Sequence, residues 1–82
     1  MIEVKVKFFA VLRETLGEAE RMFFFPKNIS CEEVLGQLKS IFADAEPILD
    51  ASRLAVNGYF AAKSMRLAQG DEVEVLPPVS GG

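Results

Sequence analysis

A chain with no histidine and a single cysteine has few side chains able to do chemistry. Without imidazole it lacks the most versatile acid/base group and zinc ligand, which weighs against hydrolase triads and zinc sites. Cys31 stands at the first position of an expected helix, where the helix dipole can lower a thiol pKa. With no histidine to act as base and two glutamates directly behind it, it is a poor nucleophile. Glu32 and Glu33 could form an acid/base pair, but capping and solvation of a helix start explain them better. The remaining candidate is a main-chain group. The sequence closes on "PPVSGG". Pro77 and Pro78 have fixed φ and no N–H, so they stop a sheet ladder and favour a stiff, extended chain. From Pro77 to Gly82 such a chain reaches roughly 20 Å. Gly81 and Gly82 carry no Cβ, so a narrow channel in a partner can close around their backbone. The group delivered to the end of that channel is the Gly82 carboxylate. It is inert until activated, for example as an acyl-adenylate, and can then accept an amine, or sulfide to give a thiocarboxylate. The alternative for these same residues is a loose chain end.

A stalk of this kind needs a body to carry it. "IEVKVKF" alternates, with Ile2, Val4, Val6 and Phe8 on one side and Glu3, Lys5 and Lys7 on the other, which predicts a half-buried strand. "FAVLRETLG" follows with Phe9, Leu12 and Leu16 at helical spacing and Gly17 as a stop, which predicts a short helix or turn. "RMFFFP" reads as a second strand, apolar on both faces and ended by Pro26, close enough in sequence to pair antiparallel with the first. "SCEEVLGQLKSIFAD" predicts the main helix. Ser30 is its N-cap, Glu33 completes a capping box, and Val34, Leu35, Leu38, Ile41 and Phe42 form one apolar stripe. Gly36 suggests a close approach to the sheet, and Pro47 ends the pattern. "RLAVNGYF" is a short strand running into an Asn57-Gly58 turn. In "GDEVEVLPP", Val73 and Val75 face one way and Glu72, Glu74 and Leu76 the other. The order strand, strand, helix, strand, strand describes one α+β unit. Leu76 thus falls on a charged, outward face just before the prolines. If Phe9, Phe60 and Leu76 lie together, they make a docking patch.

Composition narrows the function classes. A domain of 82 residues hides only about 60–65% of its unfolded surface. Half of the residues are hydrophobic and six more are glycine, so the excess goes either into a rich core or into a partner-binding patch. A net charge of −3 with scattered basic residues argues against nucleic acid. No run of apolar residues is long enough to span a membrane, and residues 2–8 are unlike a signal peptide's core, so a cytoplasmic location is expected. One cysteine permits no intramolecular disulfide.

Three stretches carry a family resemblance: "VKFFAVLRE", "LAVNG" and "GDEVEVLPPVSGG". Across its length the chain resembles the small-subunit family of molybdopterin synthase, ubiquitin-like sulfur carriers. "LAVNG" and the terminal Gly-Gly are shared with the thiamine-pathway carriers, whereas "FFAVLRE" and "PPVSGG" favour the molybdopterin branch. The resemblance implies a β-grasp domain over residues 1–76, with its first and last strands paired in parallel, and a functional tail over 77–82. It implies that an adenylyltransferase related to ubiquitin-activating enzymes uses ATP on Gly82, that a thiocarboxylate follows, and that the tail enters a large synthase subunit. There the sulfur passes to a cyclic pyranopterin precursor. Two sulfurs per dithiolene require two carriers per product, and the resemblance implies a heterotetramer of two small and two large subunits. The chain itself binds no cofactor and is one half of a sulfurtransferase. By motif, Gly81 and Gly82 are the reactive tail, and Phe9, Phe60, Leu76, Pro77 and Pro78 meet the partner. Arg13 joins them, unless it is spent on a surface ion pair. Two other readings remain open: sulfur delivery to thiamine or tRNA, or conjugation to proteins, with the same tail chemistry; and a non-catalytic β-grasp adaptor that binds through a strand edge.

Overall fold

In the computed structural model, which describes residues 1–78, the alternating first segment forms β1 (Ile2–Phe8), with every second side chain buried. A seven-residue helix, α1 (Ala10–Leu16), ends at Gly17, whose φ of 73° closes the last turn through an N–H donated to the Arg13 carbonyl. The chain then returns as β2 (Glu20–Phe25), antiparallel to β1, with Ile2 opposite Phe25 and Lys7 opposite Glu20.

The main helix is α2 (Cys31–Ile41). Its start is held on both sides of the capping box. The Glu33 N–H donates to Ser30 Oγ (3.1 Å), and the Ser30 N–H donates to Glu33 Oε1 (3.0 Å). The next two orphan donors, Cys31 N–H and Glu32 N–H, go to the carbonyls of Met65 and Lys63. The segment leading to the last strand is thereby stitched onto the helix start. Replacing Ser30 by alanine is expected to cost about 1 kcal/mol of stability, measurable as a shift in the urea midpoint. The hydrogen bonds from Ser30, backbone first, hold the Glu33 carboxyl below its ordinary pKa of 4.5. A depressed folded pKa stabilises above the unfolded value and is lost as pH falls through the folded one. The stability gap between the parent and Glu33→Ala should therefore narrow below pH 4.5 and not at alkaline pH.

Past α2 the chain makes a 3-10 turn (Ala43–Ala45) and a short helix, α3 (Glu46–Asp50). Pro47 sits in the first turn of α3 and does not end the earlier pattern. Proline is tolerated there because its missing N–H would have no helical partner anyway. The apolar stripe of α2 is also shorter than its spacing implies. Val34 and Leu38 are fully buried, but Ile41 is about half exposed. Phe42 leaves helical geometry (φ −113°, ψ 63°) and sets its ring edge-on to Phe8 at 5.6 Å. Gly36 does not mark a close approach: a Cβ built there meets nothing within 4 Å. Gly36→Ala is therefore expected to stabilise by about 1 kcal/mol through helix propensity alone, read as a raised melting temperature.

Three further strands complete the sheet: β3 (Arg53–Val56), β4 (Tyr59–Phe60) and β5 (Glu72–Leu76). β3 and β4 form a hairpin across Asn57 (φ 51°) and Gly58 (φ 89°), the two positive values a type I′ turn requires. The sheet order is β2-β1-β5-β3-β4. β5 lies between β1, to which it is parallel, and β3, to which it is antiparallel. This mixed sheet wrapped on one main helix is a β-grasp. The core lies between the sheet and α2, built on Val4, Val6, Phe8, Phe25, Val73 and Val75 from the strands. Leu12, Val34, Leu38 and Leu49 fill it from the helices. β2 corrects one expectation. Its phenylalanines do not bury both faces, because Phe23 and Phe25 enter the core while Met22 and Phe24 face solvent. No helix of the described residues is long and apolar enough to cross a membrane.

Candidate functional site

The outer face of the sheet is a charged band with an apolar corner. Strand parity sends Glu3, Lys5 and Lys7 of β1 and Glu72 and Glu74 of β5 to this face. They neutralise one another: Lys7 Nζ lies 3.0 Å from Glu72, and Lys5 Nζ 3.6 Å from Glu20. The hydrogen bond and charge of Lys7 lower the Glu72 carboxyl pKa, and Glu72 raises that of Lys7. Glu74 is engaged differently, accepting the Gly58 N–H at 2.9 Å and so tying the β3–β4 turn to β5.

The corner lies where β5 ends. Phe9 is the N-cap of α1 but keeps an extended conformation (φ −124°, ψ 158°). It therefore continues the alternation of β1 and, with Phe8 opposite Val75, falls beside Leu76. On the other flank Leu76 is opposite Arg53. Phe60 is opposite Ala55, one step along the same face, and the Arg53 guanidinium lies 4.0 Å from its ring centroid. Phe9, Leu76, Arg53 and Phe60 thus occupy one end of one face. Phe60 is 62% exposed on its edge strand, whereas Phe9 and Leu76 are half-buried. Arg13 sits one helical turn beyond Phe9, exposed, with no carboxylate within 4.0 Å among the described residues. The surface ion pair suggested as its alternative is absent there.

Arg53 is a member of this corner that the sequence does not announce. It opens a strand, as many arginines do, and only the β3–β5 register sets it against Leu76. The ladder ends at Leu76, and Pro77 and Pro78 continue the chain outside it. Gly81 and Gly82, which carry the expected tail chemistry, lie outside the described residues.

Two other candidates fall away. Cys31 is buried, and burial, followed by the charge of Asp71, raises its thiol pKa, the opposite of an activated nucleophile. Glu33 is occupied by its cap. A concavity of about 430 Å³ lies between α2 and the start of β3. Its closest charged pair, Lys39 and Asp50 at 2.6 Å, closes on itself. Among the described residues no cluster of three or more His, Cys, Asp and Glu could hold a metal ion.

Known proteins share this sequence pattern and this geometry. The ThiS family matches residues 6–82. A protein of Arabidopsis thaliana named molybdopterin synthase sulfur carrier subunit is 30% identical over 81 residues, covering 99% of this chain and 84% of that protein. Among solved structures, a candidate subunit 1 of a molybdopterin converting factor from Pyrococcus furiosus superposes with a TM-score of 0.86 at 28% identity, covering 96% of this chain and all of that one. The small archaeal modifier protein 1 of Methanosarcina acetivorans gives 0.78 at 28% identity, covering 100% and 98%. Matched almost from end to end, and folded as a β-grasp, the chain belongs to the ThiS family.

Proposed function

We propose that the chain is the sulfur carrier subunit of a molybdopterin synthase. The observation that carries this reading is the convergence at the end of β5: the strand leads straight out of the sheet at Leu76, beside the apolar corner of Phe9, Phe60 and Arg53. A partner that grips the corner is placed to receive the segment from Pro77 through Gly82. The names of the full-length relatives point the same way.

In this reading an ATP-dependent adenylyltransferase joins the Gly82 carboxylate to AMP, releasing pyrophosphate. Sulfide then displaces AMP to leave a thiocarboxylate. The large synthase subunit binds the corner, with Pro77 and Pro78 guiding the tail inward, and the thiocarboxylate sulfur attacks the cyclic pyranopterin precursor to form a thioester. Water hydrolyses the thioester, leaving the sulfur on the pterin and returning the Gly82 carboxylate. The body does no acid/base work. Two carriers are consumed per dithiolene, which a heterotetramer of two small and two large subunits would supply.

A second reading has its own support. The likeness to a small archaeal modifier protein raises transfer of the same activated glycine to lysines of other proteins. Intact-mass spectrometry of the chain from its native host separates these readings. A species heavier by one oxygen-to-sulfur exchange at Gly82, copurifying with a pterin-binding subunit, is the expected result. Isopeptide links from Gly82 to lysines of other proteins, without the thiocarboxylate, would select the second reading. An unmodified Gly82 in every preparation would leave only an adaptor.

A further inference from the structure

The opposite edge of the sheet carries a separate surface. The Phe8 N–H donates to the Ala19 carbonyl at 2.8 Å, continuing the β1–β2 register. Antiparallel ladders alternate between hydrogen-bonded and non-bonded pairs. The main-chain groups of Arg21, Phe23 and Phe25 therefore point at β1, and those of Glu20, Met22 and Phe24 point away from the sheet. Among the described residues no bond outside the ladder reaches these three. Edge strands are usually kept short, bulged, or guarded by lysine or proline. β2 runs six residues in unbroken register, and its outward side chains Met22 and Phe24 are 45% and 64% exposed.

We propose that β2 pairs antiparallel with β2 of a second copy of this chain, about a two-fold axis at Met22. In that register Met22 faces Met22, and Glu20 faces Phe24 twice, so all three outward-pointing residues of each copy enter hydrogen-bonded pairs. A shift that set Met22 against Phe24 would put Glu20 against Pro26, which has no N–H to give. Charge favours a second copy as occupant. The entry end of β2 carries Glu18 and Glu20, held within the chain by Arg21 at 2.7 Å and by Lys5 at 3.6 Å, and its exit carries Lys27, which has no carboxylate within 4.0 Å among the described residues. Antiparallel pairing sets the uncompensated Lys27 of each copy beside the Glu18 and Glu20 carboxylates of the other, and two-fold symmetry repeats the match. On the core side Arg21 meets the second copy's Phe23, a ring type it already covers within its own chain at 5.6 Å. The two β5 strands then run in opposite directions, so the tails leave from opposite ends of a ten-stranded sheet and both apolar corners stay accessible.

Sedimentation equilibrium of the full chain, taken to millimolar concentration, tests the pairing. A reversible monomer–dimer equilibrium is expected. Met22→Lys places two ammonium groups on the axis and should weaken association at least about tenfold, since like charges directly opposite repel. Phe24→Lys faces the second copy's Glu20 and should retain the dimer or tighten it. Circular dichroism checks that both variants are folded. The proposal is overturned by a monomer at every concentration, by a dimer indifferent to Met22→Lys, or by equal loss in both folded variants.

Discussion

Deleting Gly82 is expected to reduce sulfur transfer to background while leaving the domain folded. The two effects separate because they depend on different parts of the chain. Every core residue among those described falls between Ile2 and Val75, and the ladder stops at Leu76. Truncation beyond the ladder should change stability by no more than about 0.5 kcal/mol, as for other changes away from the core. Chemistry fares differently. If the acyl group to be activated is that of Gly82, the truncated chain ends on Gly81, one residue short, and its carboxylate stops about 3.5 Å before the reacting atoms. A misplacement of even 1 Å can cost a hundredfold in rate. The measurement is single-turnover sulfur transfer by the reconstituted pair, beside a thermal melt of the carrier. Transfer at the parental rate would remove Gly82 from the mechanism, and a large fall in melting temperature would make the tail part of the fold.

Leu76→Glu should produce the complementary result, with chemistry competent and docking lost. Leu76 lies between Phe9 and Arg53 in register, at the centre of the corner. Central apolar anchors of an interface typically cost 2 kcal/mol or more when lost, so affinity for the large subunit should fall by roughly thirtyfold or more. The fold should tolerate the change. Leu76 is on the outer face, and the introduced carboxylate would stand opposite Arg53, a favourable cross-strand pair. Titration calorimetry against the large subunit measures the loss, and a chemical melt checks the fold. Adenylation of the variant separates the two partners: if the activating enzyme grips the same corner, activation falls with docking. Unchanged affinity for the large subunit would sink the assignment of the corner.

The two variants divide the molecule as the proposed mechanism does, into a delivered group and a handle. Gly36→Ala and Ser30→Ala act on the handle alone. Their effects on stability should leave transfer rates untouched.

Much of this was readable along the chain because it rests on local rules. Period-two alternation made β1 and β5 legible, and with them the outward parity of Leu76. The Ser30–Glu33 cap and the Asn57-Gly58 turn were legible because each is complete within four residues. The run of prolines and glycines on which the proposed tail rests is likewise plain in the sequence, since its use depends on what those residues lack. Tertiary structure alone decided which strands became neighbours. β5 comes last in the chain yet inserts beside β1, and only that pairing sets Phe9 next to Leu76 and recruits Arg53. It also decided that the helices cover only one face of the sheet, which left Met22 and Phe24 of β2, expected in the core, as exposed surface. Spacing could not foresee the break that sends Phe42 inward and leaves Ile41 outside, because the Phe8 ring that receives Phe42 comes from a strand more than thirty residues earlier. The physical reason is common to all three: pairing and burial are contacts between distant segments, and no local pattern encodes which distant segment will arrive.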